Sequence, residues 1–146
     1  MRLFEILRDK PFRLIALSPT ETALDAANLM KTEQVGAVLV LDAGSRLLGL
    51  VSERDLVLGV ATEGANLLRR RVAEVMSVDG PTARPNDSVL HVMRTMTERR
   101  ARHVPVLDGD AVVGVVSIGD VLKARLAEKI QENAILQELA QVRHAA

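Results

Sequence analysis

The sequence predicts an α+β fold with α/β-like alternation: two copies of a strand-helix-strand-strand-helix unit, followed by a long C-terminal helix. Three observations predict it. The first is repetition: Gly114-Val115-Val116-Ser117-Ile118-Gly119-Asp120 nearly copies Gly49-Leu50-Val51-Ser52-Glu53-Arg54-Asp55. Upstream, Pro19 pairs with Pro85, Leu24 with Leu90, Met30 with Met96, and Val38, Val40, Leu41 and Asp42 with Val104, Val106, Leu107 and Asp108. The offset is 66 residues, falling to 65 after one residue is lost in a turn. A repeat is weighed before any local motif, because missing it misreads the whole fold. The second is composition: 48% of the 146 residues are apolar but the only aromatics are Phe4 and Phe12, so the core is built of Val, Leu, Ala, Ile and Met. The third is the stretch from Asp120 to about Arg143, which lacks Gly and Pro and carries Leu122, Leu126, Ile130, Ile135, Leu139 and Val142 at mostly four-residue spacing.

The elements follow in order. Phe4, Ile6 and Leu7 predict one helical turn ended by Pro11, and Val72-Ala73-Glu74-Val75-Met76 predicts its counterpart before the second half. Leu14 to Leu17 reads as a short strand broken by Ser18-Pro19. Thr22 is placed to cap a helix, its hydroxyl accepting from the free amides of the first turn, and Ala23, Ala26, Ala27 and Met30 share one face. Val35 to Leu41 is apolar enough for a strand buried on both faces. Asp42 to Ser45 turns, Leu47 to Val51 returns as a strand, and a helix runs from about Arg54 to Thr62. Gly64 to Arg71 links the halves; its Arg69-Arg70-Arg71 reads as a solvated, helix-flanking run or as an anion site.

The second half repeats the plan. Gly80-Pro81-Thr82 leads into a short strand, Arg84-Pro85 breaks it, and Ser88 caps a helix whose Val89, Val92, Met93 and Met96 follow i, i+3, i+4, i+7. Methionines in such a stripe fill a core rather than ligate a metal, and no metal site is expected. His103 to Leu107 and Ala111 to Val116 are strands joined around Asp108-Gly109-Asp110, a hairpin signal. The helix from Asp120 to Arg143 would span about 34 Å at 1.5 Å per residue, longer than one half-unit needs.

Charge and composition exclude several classes. With 19 basic and 19 acidic residues the formal charge is zero, which argues against duplex nucleic acid as a partner. The absence of cysteine removes disulfides, thiol nucleophiles and Cys-ligated zinc. No apolar run reaches the roughly 18–20 residues of a membrane span, and the N-terminus, with Glu5 early and no small-residue cleavage site, does not read as a signal peptide. A cytoplasmic protein without membrane association is expected.

Each half reads strand-helix-strand-strand-helix, and with these residues it resembles the CBS domain, which occurs in tandem as the Bateman module. The resemblance rests on Val35-Gly36-Ala37-Val38-Leu39-Val40, Gly49 to Asp55, Arg102-His103-Val104-Pro105-Val106 and Gly114 to Asp120, in this order, and covers essentially the whole chain. The layout is similar to stand-alone bacterial CBS-pair proteins without an enzyme domain. It gives one module over residues 1–146: a first repeat at 8–64, a second at 72–128 and a helical extension at 129–146. The resemblance implies a pseudo-twofold pair of clefts for adenosine-containing ligands: AMP foremost, with ADP, ATP, NAD(H) or S-adenosylmethionine as alternatives. It also implies a homodimer that signals energy or redox state to a separate effector protein.

Carried over by motif, Ser52 and Asp55 would meet the ribose in one cleft, and Ser117 and Asp120 in the other. Arg54, Arg84, Arg102 and His103 would face phosphate, and Ile15, Gly36, Ala37, Val38, Thr82, Val104 and Pro105 would wall the adenine. A carboxylate suits the first role, since it accepts from both hydroxyls of a cis-diol through charge-assisted hydrogen bonds. The competing reading is that Ser-x-x-Asp before an apolar run is only a capping box, a pattern that Thr22-Ala23-Leu24-Asp25 also fits. The arginines likewise read as surface charges, and His103 as a neutral edge residue. Because Arg54, Arg102 and His103 have only Gly119, Gly36 and Ala37 as counterparts, the Asp55 cleft is expected to prefer phosphorylated ligands and to be the more sensitive to loss of its aspartate.

Catalysis finds little support. The histidines, His91, His103 and His144, have no triad pattern; no phosphate loop, dinucleotide fingerprint or His-Glu-x-x-His occurs; and Asp108 and Asp110 form a turn. A structural homodimer with degenerate ligand sites is the other alternative.

Overall fold

The computed structural model describes residues 1–10 and 13–145, which form two small sheets flanked by helices. The order is α1 (Leu3–Asp9), β1 (Ala16–Leu17), α2 (Ala23–Glu33), β2 (Ala37–Leu41), β3 (Leu47–Ser52), α3 (Glu53–Glu63), α4 (Val72–Val75), α5 (Val89–Arg99), β4 (His103–Asp108), β5 (Ala111–Ser117) and α6 (Ile118–Ala145). The expected break at Pro11 lies outside the described residues. In the first sheet β2 is central, parallel to β1 and antiparallel to β3. In the second, β4 pairs antiparallel with β5. The expected strand near Thr82 is reduced to one parallel bridge, Ala83 with Val106, held by Ala83 N to Pro105 O at 3.0 Å and Leu107 N to Ala83 O at 2.8 Å. Pro81 and Pro85 lack the N–H that a longer ladder requires, so pairing stops there.

The repeat is visible in the cores. Leu17, Met30, Val38, Val40 and Val51 pack in the first; Ala83, Met96, Val104, Val106 and Val116, their counterparts by the sequence offset, pack in the second. Each fully buried valine side chain contributes about 1.5–3 kcal/mol. Strand alternation sends Val38 and Val40 into the core while Ala37 and Leu39 point the other way.

The short helices exchange cores. Leu3 of α1, fully buried, belongs to the second core, and Val72 of α4, also fully buried, belongs to the first. Backbone bonds fix both: Leu3 N donates to Asp87 O at 3.0 Å and Val89 N to Met1 O at 3.0 Å, while Ala23 N donates to Arg70 O at 2.8 Å and Val72 N to Glu21 O at 2.7 Å. The helix preceding each repeat thus docks on the other repeat. The second repeat as delimited by the sequence, 72–128, includes a helix that completes the first core. The chain after α1 must therefore cross from the second repeat to the first, and the chain after α4 must cross back.

The Gly64 to Arg71 linker is largely a 3-10 turn over Gly64–Arg69. Arg70 pairs with Glu63 at 2.6 Å and Glu74 at 2.9 Å, so this arginine of the triplet joins α3 to α4. Helix α6 has 28 residues and spans about 42 Å, somewhat longer than expected. Beyond Glu128 its described residues are all exposed.

Candidate functional site

The two Ser-x-x-Asp motifs sit where β3 enters α3 and β5 enters α6. In the first, Ser52 N donates to Asp55 Oδ2 at 2.8 Å and Asp55 N to Ser52 Oγ at 3.2 Å; in the second, Ser117 N donates to Asp120 Oδ2 at 2.8 Å and Asp120 N to Ser117 Oγ at 3.1 Å. Thr22 and Asp25 make the same pair of bonds at 2.9 and 3.2 Å. Capping is therefore real at all three places and cannot mark a ligand site. What separates them is the rest of their surroundings.

Ser117 opens onto a cavity of about 450 Å³ between the repeats. The first repeat contributes Ile15, Gly36, Ala37 and Leu39; the second contributes His103, Val113, Gly114 and Val115; and α1 adds Leu7, with Lys10 and Arg13 following it in the chain. The starts of β2 and β4 are anchored alike, Glu53 N donating to Gly36 O at 3.0 Å and Ile118 N to Arg102 O at 2.8 Å. Gly36 is closely approached by side chains: a Cβ there would lie 3.0 Å from Glu53 Oε1 and 3.1 Å from His103 Cε1.

Lys10 provides the cavity's main polar link. Its ammonium donates to Asp120 Oδ2 at 2.7 Å and to Val115 O at 3.0 Å. Burial pushes the Asp120 carboxyl up, but the Lys10 ammonium and the Ser117 amide and hydroxyl outweigh it and hold Asp120 below the usual carboxylate range. His103 is held below the usual imidazole value, chiefly by burial, with Glu53 opposing and Lys10 reinforcing, so at neutral pH it stands in the wall uncharged. Arg13 pairs with Glu33 of the first repeat at 2.5 Å. Lys10 is thus bonded to the second repeat and Arg13 to the first.

On the Asp55 side a backbone segment takes the place that Lys10 takes on the other. Leu50, counterpart of Val115, exchanges two bonds with Ser77, Leu50 N to Ser77 O at 3.0 Å and Ser77 N to Leu50 O at 2.9 Å. Ser77 Oγ also donates to Asp55 Oδ1 at 3.2 Å. A Cβ on Gly49 would lie 2.8 Å from both Ser77 O and Met76 Sδ, so the segment after α4 lies directly on β3. Asp55 instead borders a groove of about 290 Å³ with Leu58, Gly59, Glu63 and Arg70.

Of the residues singled out from the sequence, the structure brings Ile15, Gly36, Ala37, His103 and Ser117 together, with Asp120 joined to them through Lys10. It does not bring the others there. Val38 and Val104 are core residues by strand alternation. Arg84 lies at the far end of the β4–β5 hairpin, donating to Gly109 O at 2.8 Å. Arg54 and Arg102 are exposed, as is Thr82, while Pro105 is buried in β4. His103, expected from the sequence on the Asp55 side, lines the same cavity as Ser117. Lys10, Arg13 and Leu39 were missed. Leu39 was legible, since it shares a strand face with Ala37; the two cations were not, because their place depends on α1 docking on the distant repeat.

A family model described as the CBS domain matches residues 5–61 and again 72–127. The mitochondrial CBS domain-containing protein CBSX3 of Arabidopsis thaliana is 34% identical over 125 residues, which cover 80% of this chain and 61% of that protein, so the chain spans only about three fifths of that relative. The crystal structure of a CBS-domain containing protein from Agrobacterium tumefaciens superposes with a TM-score of 0.82 at 35% identity, covering 85% of this chain and 92% of the other. A CBS domain protein from Pyrobaculum aerophilum, solved as a complex with AMP, superposes with a TM-score of 0.73 at 25% identity, covering 82% and 89% of the two chains.

Proposed function

This chain belongs to the CBS-domain family, as a tandem pair of repeats forming a regulatory module, and from that premise we propose that it binds an adenosine-containing nucleotide in the cavity on the Asp120 side. AMP is the first candidate and ADP, ATP or NAD(H) the alternatives. One observation carries this reading: the cavity is lined by the Ser117 hydroxyl, by apolar walls from Ile15, Leu39 and Val113 and by the cations Lys10 and Arg13, and the Asp120 carboxylate is held beside it by Ser117 and Lys10. Those are the three chemistries of a nucleotide. The carboxylate suits a ribose diol, the apolar walls suit a base, and the cations suit phosphate. Its volume, about 450 Å³, falls within the roughly 300–1,000 Å³ typical of ligand sites. The AMP complex of the Pyrobaculum protein supports the choice of ligand.

The reading extends to association. Leu126, Ile130, Leu136, Leu139 and Val142 on α6 are 58–68% exposed, and a helix gains most of its stability from burying an apolar face. A second copy related by a twofold axis is the simplest cover. The protein then acts as a homodimeric sensor that conveys occupancy to a separate effector, without catalysis of its own. Melting curves with AMP, ATP, NAD(H) and S-adenosylmethionine test the ligand class. A rise in melting temperature with AMP is expected; no rise with any adenosine compound would leave a structural dimer with degenerate sites.

A further inference from the structure

Resting on that nucleotide reading, we infer that Lys10 is an internal competitor for Asp120 that makes the cavity select anionic adenosine ligands over uncharged ones. Asp120 Oδ2 is already occupied by the Lys10 ammonium at 2.7 Å and the Ser117 amide at 2.8 Å. A ribose diol approaching this carboxylate meets a cation already in place. An uncharged nucleoside that displaces Lys10 replaces its bond to Asp120 with hydroxyl donors but leaves the ammonium without an anionic partner, so the ion pair is lost with nothing to offset it. A phosphorylated ligand brings its own anion and returns a partner to Lys10.

The lysine is built to move. It lies just past the end of α1, its side chain is 42% exposed, and its hold on the second repeat consists of the side-chain bonds to Asp120 and Val115. Four rotatable bonds let the ammonium turn from one partner to another. The other repeat shows what a fixed arrangement looks like: there the counterpart of Val115 pairs with the backbone of Ser77, and Asp55 accepts from a neutral hydroxyl at 3.2 Å. Among the described residues, a lysine ammonium bonds the carboxylate on the Asp120 side and a serine hydroxyl takes that place on the Asp55 side.

Two titrations test this. Wild-type protein should bind AMP about ten- to a hundredfold more tightly than adenosine. The Lys10→Met variant should bind AMP more weakly and adenosine more tightly, bringing the ratio toward one. A lysine that merely touches phosphate would lower AMP affinity and leave adenosine unchanged, and that result overturns the inference. The second titration needs no mutation. Inorganic phosphate at millimolar concentration should strengthen adenosine binding to wild-type protein several-fold, by engaging Lys10, and should not do so in Lys10→Met. Phosphate without effect on wild-type adenosine affinity overturns it as well. Wild-type protein that binds neither AMP nor adenosine would overturn the nucleotide reading along with this one, whereas AMP binding with an unchanged ratio in Lys10→Met overturns this one alone.

Discussion

Replacing Gly49 and Gly114 by alanine, one at a time, makes the same chemical change at equivalent points of the two repeats, and the structure predicts unequal costs. The new methyl at Gly49 would lie 2.8 Å from Ser77 O, a backbone atom, and 2.8 Å from Met76 Sδ. A carbonyl cannot rotate away, so the segment after α4 must lift, straining the Leu50–Ser77 bonds at 3.0 and 2.9 Å. Overpacking of this kind costs about 1–3 kcal/mol, and each strained bond adds about 0.5–1.5 kcal/mol. We expect a loss of about 2–6 kcal/mol for Gly49→Ala. At Gly114 the methyl would lie 2.7 Å from Leu7 Cδ2, and the next atoms of Leu7 are 3.5 and 3.6 Å away. Turning the end of that side chain relieves the contact, so Gly114→Ala should cost less than about 1.5 kcal/mol. The gain from removing a flexible glycine is common to both and cancels in the comparison. Urea unfolding followed by circular dichroism, at one protein concentration, measures both variants. Equal losses, or a larger one for Gly114→Ala, would refute the claim that one side is sealed by backbone and the other covered by side chains.

Further outcomes follow from the same geometry. Because Asp120 is held below its usual pKa, its contribution to stability is present above the unfolded-state value of about 3.9 and lost as pH falls through the folded value. The stability gap between wild type and Asp120→Asn should therefore be full at pH 6 and close in acid; a gap that persists at the lowest folded pH would show that the ionised form is not what stabilises. His103 behaves oppositely in charge: burial depresses its pKa, so protonation favours the unfolded chain as pH drops below about 6.5, and His103→Gln should lose less stability than wild type between pH 7 and 5. Truncation after Glu128 removes the exposed part of α6 and should lower the sedimentation coefficient to that of a monomer at micromolar concentration, with the melting temperature of the module little changed.

What the sequence disclosed and what it concealed divide along physical lines. The repeat, the strand order and the caps at Thr22, Ser52 and Ser88 depend on local periodicity and on side chains three residues apart, and those are written in the chain. The core methionines Met30 and Met96 were legible for the same reason. Which repeat α1 and α4 dock on was not, since each is a short apolar turn that would fit either core. That exchange decides the site. It carries Lys10 to Asp120 across 110 residues of sequence, and it lays Ser77 on Leu50, giving two motifs of nearly identical sequence different surroundings.

Isothermal titration of AMP into wild type, Asp120→Ala and Asp55→Ala tests the central claim most directly. Loss of one charge-assisted partner is worth on the order of 1.5–3 kcal/mol, so Asp120→Ala should weaken binding by about 10- to 150-fold. Asp55→Ala, whose carboxylate borders a different groove and accepts from Ser77, should stay within about twofold of wild type. The reverse order, with Asp55→Ala abolishing binding and Asp120→Ala leaving it intact, would contradict the placement of the nucleotide beside Ser117 and Asp120.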